Sequence, residues 1–259
     1  MLLFIIILFL IYGIFIEPYQ LEIKRYQIRG IADLKICFFS DCHFGRLYDI
    51  KNLDRIVKMI NATNSDMVIF GGDFFDYYEH DKAYLNDEYL SKCLKGISCV
   101  NKIAVIGNHD YADMAYEHFV KVFSEAGFKI LINEDIIIND IVIKGIDDMY
   151  NGDVGAYIDR IYDKYTIALA HEPDTFDKYD IKFDLAISGH SHGGQIALPI
   201  IKAIIRNNGA RKYNKGMYNI NGNKLIVSSG IGMTKLPIRF MNKPQIVLIQ
   251  VGEYDKLLV

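Results

Sequence analysis

The chain has 259 residues, 51% of them apolar and 24% charged, with only 5 prolines. That length leaves room for one large domain with a sizeable core, and the composition excludes a disordered, collagenous or disulfide-scaffold protein. A net charge of -3, from 29 basic and 32 acidic residues, supplies no overall field for duplex nucleic acid, so any polyanion site must be local.

Met1 to Ile16 is a run of Leu, Ile and Phe without a charge, diluted by Tyr12 and Gly13 and stopped at Glu17-Pro18. A helix over this run spans roughly 24 Å, short of a ~30 Å hydrocarbon core unless Tyr19, Gln20 and Leu21 extend it. The basic n-region and A-x-A-like site of a cleavable signal peptide are both missing, which favours an uncleaved anchor over residues 1–21 ahead of a domain over 22–259. Lys24, Arg25 and Arg29 follow the run, so the positive-inside rule places the body of the protein in the cytoplasm.

From Leu34 onward, short runs rich in Ile, Val and Phe alternate with helical patterns, an α/β arrangement with stacked sheets. Lys35 to Ser40 reads as a strand, and Leu53, Ile56, Val57 and Ile60 form a helical stripe. Asp66 to Phe70 and Lys102 to Ile106 are the next strands. Met114 to Ala126 reads as a helix with Gly127 as its C-cap, and Asn139-Asp140 joins Ile136–Ile138 to Val142–Gly145 in a hairpin. Thr166 to Ala170 and Asp184 to Ser188 are strands. Asn221-Gly222 turns a second hairpin, and Gln245 to Val251 closes the sheet. Cys37, Cys42, Cys93 and Cys99 form no C-x-x-C pair and read as free thiols.

Five polar clusters begin where these strands stop: Asp41-Cys42-His43, Gly71-Gly72-Asp73, Gly107-Asn108-His109-Asp110, His171, and Gly189-His190-Ser191-His192. Ligands in stacked α/β folds sit beyond the carboxyl ends of the strands, where side chains distant in sequence converge. Strand alternation aims Asp41 with His43, and His190 with His192, to one side. The donor set is Asp41, His43, Asp73, Asn108, His171, His190 and His192, all carboxylate, imidazole or amide oxygen without thiolate, which suits Mn, Fe or Zn. Seven donors exceed one tetrahedral ion and suit two divalent ions sharing one carboxylate, with Asp73 as the bridge, a recurrent design for phosphoester hydrolysis.

The order D-x-H, G-G-D, G-N-H-D, a lone His and G-H-S-H resembles the calcineurin-like metallophosphoesterases, over about Leu34 to Val251. The resemblance implies one metal on Asp41, His43, Asp73 and His192 and a second on Asp73, Asn108, His171 and His190. It further implies His109 as the catalytic histidine, at the phosphoryl oxygen or the leaving group, with Asp110 orienting it, and a four-layer α/β/β/α sandwich. His171-Glu172-Pro173-Asp174, Gly189 to Gln195, and Ser228 to Gly232 with Leu236 to Phe240 resemble the membrane-associated bacterial subgroup, which includes UDP-diacylglucosamine hydrolases. Cys42 departs from the aliphatic residue commoner there.

His80 and His118 lie away from the strand ends and are assigned to the surface or to local hydrogen bonds. The acidic aromatic stretch from Asp76 to Glu88 reads as a solvated loop ahead of a rim to the pocket. Leu198 to Ile205, followed by Arg206, Arg211, Lys212 and Lys215, reads either as a packed helix with a basic turn or as a lip for anionic headgroups. The expectation is a hydrolase of a phosphomonoester, phosphodiester or pyrophosphate, with a lipid-linked substrate ahead of soluble nucleotides or phosphoproteins. A non-catalytic binding module on the same scaffold is the alternative of a different class, disfavoured because no ligand is missing.

Overall fold

The computed structural model describes residues 2–30, 33–112, 114–198, 202–203 and 206–252. In chain order they form α1 (Leu2–Ile11), β1 (Glu22–Arg29), β2 (Leu34–Phe39), α2 (Asn52–Asn61), β3 (Met67–Gly71), α3 (Tyr78–Asp81), α4 (Asp87–Lys95) and β4 (Asn101–Val105). There follow α5 (Asn108–Tyr111), α6 (Ala115–Glu125), β5 (Lys129–Ile130), β6 (Glu134–Ile138), β7 (Ile141–Gly145), β8 (Thr166–Leu169), α7 (Thr175–Lys178) and β9 (Leu185–Ser188). The chain continues through β10 (Ala197–Leu198), β11 (Lys202–Ala203), β12 (Gly216–Ile220), β13 (Asn223–Val227) and β14 (Gln245–Gly252).

Two six-stranded sheets result, ordered β1-β14-β2-β3-β4-β5 and β12-β13-β9-β8-β7-β6. Strand alternation decides the layering. In β2, Ile36 and Phe38 face the second sheet with Ile69, Ile103, Ile167, Leu169 and Ile187, whereas Cys37 and Phe39 turn outward under Leu53, Ile56, Leu90, Phe119 and Phe123 of α2, α4 and α6. The runs read as unbroken apolar strands because both of their faces are buried. In the first sheet β2, β3 and β4 are mutually parallel, and in the second so are β7, β8, β9 and β13. Each parallel set brings its carboxyl ends to one edge.

Turn chemistry is as the sequence reads. Asn139 and Asp140 have φ 47° and 63°, and Asn221 and Gly222 have φ 50° and 91°, the doubly positive pattern of two-residue hairpin turns. Gly127 follows α6 at φ 82°.

α1 ends at Ile11, the chain widens into a π-turn segment over Tyr12–Ile16, and among the described residues no helix is long and apolar enough to cross a membrane. The buried Glu17 carboxylate accepts the amides of Met241 and Asn242, Gly13 accepts the Arg239 amide, and Phe9 packs edge-on to Phe240 at 5.1 Å. Other expectations are corrected. The fourth layer is thin: the outer face of the second sheet is covered by the single turn α7 and by loops that bring in Ile181, Phe183 and Tyr213. β1 escaped the sequence reading because it is an edge strand whose exposed charges, Glu22, Lys24, Arg25 and Arg29, break the apolar alternation. The stretch after Asp76 holds α3 and α4 and is no simple solvated loop. Of the apolar stretch 198–205, residues 199–201, 204 and 205 lie outside the described residues, while β10 pairs with β11.

Candidate metal centre

The five clusters meet at the common edge of the two sheets. They do so through backbone geometry that strand alternation does not supply: Asp41, His43, Asp73, His190 and His192 all have positive φ, between 44° and 64°. Such angles are costly for side-chain-bearing residues and cluster at functional sites, where the surrounding structure holds them. Each turns a side chain inward just past its strand. The neighbouring glycines are required by close approach: a side chain at Gly107 would overlap the Asp73 carboxylate, and one at Gly189 the Asp41 carboxylate.

Three donor groups are compact enough to hold an ion: Asp41 with His43 and His192, His43 with Asp73 and His109, and Asp73 with His171 and His190. Asp73 Oδ2 lies 3.4 Å from His43 Nε2 and 3.1 Å from His171 Nε2, so one carboxylate oxygen stands between the two sides of the site. His43 Nε2 and His192 Nε2 face each other at 2.9 Å.

Carbonyl oxygens can only accept, and this fixes the tautomers. His171 Nδ1–H donates to Gly71 O at 2.7 Å, His190 Nε2–H to Asn208 O at 2.7 Å and His109 Nδ1–H to Asp76 O at 2.6 Å. His43 Nδ1 is held by Asp76 Oδ1 at 3.1 Å. In the neutral rings of His171 and His190 the other nitrogen is then a lone pair available to a cation. His171 Nε2 and Asn108 Oδ1 are buried without a hydrogen-bond partner among the described residues. Orphaned buried donors and acceptors are rare, and here they face carboxylates and imidazoles. The set fits hard or borderline divalent cations, and no thiolate enters it.

Charge tells the same story. Burial pulls His43 down, but hydrogen bonds to Asp73 and Asp76 outweigh it and raise its pKa to about 10. Burial also opposes charge on His171, yet Asp73 and Asp41 hold its pKa well above the ordinary value. His190 is lowered to about 4 by burial and by the neighbouring His171. The buried carboxylates thus favour positive charge at His43 and His171, whereas burial and neighbouring histidines hold His190 and His192 neutral.

Asp110 does not orient His109. Its fully buried carboxylate accepts the amides of Asp73, Phe74 and Gly107 at 2.7, 2.8 and 3.1 Å, pinning the Asp73 turn to α5, and burial beside Asp73 raises its pKa to about 7. The partner of His109 is Asp76, whose carbonyl takes the Nδ1 proton and whose carboxylate holds His43 and, at 3.0 Å, the Thr234 hydroxyl. Its signal in the sequence was the apolar pair between Asp73 and Asp76, and the structure buries both Phe74 and Phe75. Asn242 left no such signal. Its side chain donates to the His192 carbonyl and accepts from Lys215 Nζ.

Cys42 turns into the helix-side core, away from the ligands, and all four cysteines are free. His118 bonds locally to Asp87 and Tyr78. The basic lip is partly consumed: Lys212 pairs with Asp177 at 2.6 Å and Arg211 bonds Asn208 at 2.6 Å, while Arg206 lines the metal cavity.

A two-sheet sandwich with a buried Asp/His/Asn cluster at the parallel strand ends defines a metal-dependent hydrolase fold. Residues 34–194 match the model of the calcineurin-like phosphoesterases, and the chain belongs to that family. It is similar to the metallophosphoesterase YkuE of Bacillus subtilis, at 30% identity over 92% of this chain and 87% of that protein. The metallophosphoesterase Cj0846 of Campylobacter jejuni is 31% identical over 84% of this chain and 59% of its own length. The phosphodiesterase YaeI of Escherichia coli is 23% identical over 90% of this chain and 89% of its own. The protein is accordingly a hydrolase that uses divalent metal.

Proposed function

We propose that the chain hydrolyses a phosphoester or pyrophosphate at a binuclear centre, Asp41, His43, Asp73 and His192 holding one cation and Asp73, Asn108, His171 and His190 the other. The observation that carries this reading is the placement of Asp73 Oδ2 between His43 Nε2 and His171 Nε2, at 3.4 and 3.1 Å. Divalent ions bound there supply charge for the phosphoryl oxygens and lower the pKa of a water nucleophile. The side chains provide the rest. The hydrogen bonds from His171 to Gly71 and from His190 to Asn208 keep a lone pair aimed inward on each ring. His109, tethered through Nδ1–H to Asp76 O, lines the cavity; as the imidazolium its Nε2–H would protonate a departing oxygen, and as the neutral ring its Nε2 lone pair would accept a proton instead.

Lipid linkage of the substrate, a membrane location and a cytoplasmic active site belong to the same proposal. Support comes from α1 and the turns after it, where Phe4 and Phe15 are 64% and 68% exposed in an uncharged run, ahead of Lys24, Arg25 and Arg29. Soluble nucleotides or phosphoproteins are the second reading, favoured by the open aqueous cavity of about 360 Å³ over the site. The catalytic reading is preferred to a binding module because every donor and His109 are in place.

Titration of the metal-free chain with Mn²⁺, Fe²⁺ or Zn²⁺ against an aryl phosphodiester tests it, alongside Asp73→Asn. Removing the shared charge weakens both positions, so Asp73→Asn should fold, lose metal on both sides and lose turnover. Two ions per chain with undiminished rate in that variant would overturn the bridge.

A further inference from the structure

The metal cavity has a neighbour. A second cavity of about 450 Å³ is lined by Arg46, Tyr77, Tyr84 and Lys235, and Lys235 also lines the metal cavity. Between them stand Asp76 and His109, with the Tyr77 ring centre 5.3 Å from that of His109. The second cavity therefore adjoins the metal cavity on its His109 side.

Lys235 is held there deliberately. Its φ of 62° is a left-handed conformation that lysine seldom adopts. Both flanks are clamped by the buried Gln195, whose Oε1 accepts the Thr234 amide at 2.9 Å and whose Nε2 donates to Leu236 O at 3.0 Å. Thr234 Oγ1 adds its bond to Asp76. A strained, doubly clamped backbone that presents one cation at the junction of two cavities is an arrangement the fold maintains against cost.

Asp76, Asp81 and His80 line the second cavity too, and the two carboxylates bond to groups other than the Lys235 ammonium. Asp81 accepts the Arg46 amide at 3.0 Å, and Asp76 is engaged by His43 and Thr234. Among the described residues, neither the Lys235 ammonium nor the Arg46 guanidinium has a carboxylate partner, and both side chains are exposed.

We propose that the second cavity receives the departing half of the substrate and that Lys235, with Arg46, reads a negative charge on it, so that the substrate class is a pyrophosphate-linked ester. This rests on the hydrolytic reading of the adjoining centre. The water oxygen bonds to the phosphorus at the metal centre as the bond from that phosphorus to the bridging oxygen breaks. The bridging oxygen keeps the electron pair and leaves as a phosphate monoester dianion, and at alkaline pH both water protons pass to solvent. Charge-assisted contacts to a phosphate are strong and directional, and Tyr77 and Tyr84 offer flat faces for whatever the departing phosphate carries.

The test compares the Mn²⁺-loaded full chain on a dinucleoside pyrophosphate, whose departing half is charged, and on bis(p-nitrophenyl) phosphate, whose departing aryl group is much less so. Lys235→Ala should raise KM for the pyrophosphate about tenfold to a hundredfold, and its loss of kcat/KM there should exceed its loss on the aryl diester by about tenfold. Lys235→Arg should recover most of that difference. Lys235→Gly, which takes φ 62° without strain, should behave as Lys235→Ala and separates lost charge from lost fold. A nucleoside monophosphate should inhibit aryl-diester hydrolysis competitively, about tenfold less well in Lys235→Ala. Equal losses on the two substrates overturn the proposal, as does a wild-type chain that cleaves the aryl diester but not the pyrophosphate. Failure to cleave either substrate with any divalent ion overturns the phosphoesterase reading beneath it.

Discussion

At the scale of single residues, His109 and Asp76 separate chemistry from support. His109 follows a ligand in sequence and joins a donor group with His43 and Asp73, yet its Nδ1 is committed to Asp76 O. His109→Asn should retain metal and lose about 10²- to 10⁴-fold in rate, with a smaller loss on esters whose leaving group needs no proton. Metal analysis and a series of aryl esters check both parts; loss of an ion, or an equal loss across the series, would return His109 to the ligand set. Asp76 touches His43 through Oδ1 and is a positioning residue for two histidines. Asp76→Asn should weaken metal binding by about 10- to 100-fold, read as a shift in the metal titration midpoint, and excess metal should restore part of the rate. A merely structural role would lower the thermal midpoint and leave the titration midpoint where it was.

At the scale of elements, the site depends on a loop that contributes no ligand. The segment from Ser228 to Asn242 folds around Arg239, which is fully buried and donates to Gly232 O, Ser229 O and Asn242 O at 2.7 to 3.2 Å. The same loop carries the amides of Ile231 and Gly232, which bond the backbone of Ser40 and Asp41 and thereby support the first ligand turn. Arg239→Met leaves three buried carbonyls without their donor. Unsatisfied groups cost about 1–3 kcal/mol each, so a loss of about 3 kcal/mol or more is expected, equal to roughly 6–12 °C in thermal midpoint for a chain of this size. Differential scanning calorimetry checks it, with the exposed Arg211→Ala as a control expected within about 1 °C. The parallel strands, the hairpins and the glycine cap were readable because each is a local pattern. The Arg239 network was not, since a lone arginine in Leu236-Pro237-Ile238-Arg239-Phe240 looks like a surface charge until its acceptors are brought round it.

At the scale of the whole molecule, α1 is fastened to the catalytic body through Glu17 and Phe240 while its other face carries exposed Phe4 and Leu10. If that face enters a lipid surface, replacing Phe4, Leu10 and Phe15 by Ser should reduce partition onto vesicles at least tenfold, because each buried aromatic or leucine contributes about 1.5–3 kcal/mol. Hydrolysis of a small soluble ester should stay within about twofold, since none of the three lies near the metal cavity lining. Unchanged vesicle sedimentation in this variant would leave the soluble-substrate reading ahead.

The sequence by itself determined the α/β sandwich, the two hairpins and the polar clusters that supply the proposed donors, because apolar periodicity, turn chemistry and ligand types are written in short stretches of chain. It could not assign the support of those donors, which is made of contacts between residues far apart in the chain, such as Asp76 with Thr234 or Asn242 with His192. Nor could it show that Asp41, His43, Asp73, His190 and His192 converge through left-handed turns instead of strand alternation. The tertiary structure also decided where the N-terminal run is tied to the body: the buried Glu17 carboxylate bonds to amides more than two hundred residues away, while Phe4, Leu10 and Phe15 stay exposed. Composition reports which surfaces avoid water, whereas the orientation of a polar group depends on which partner the completed fold carries to it.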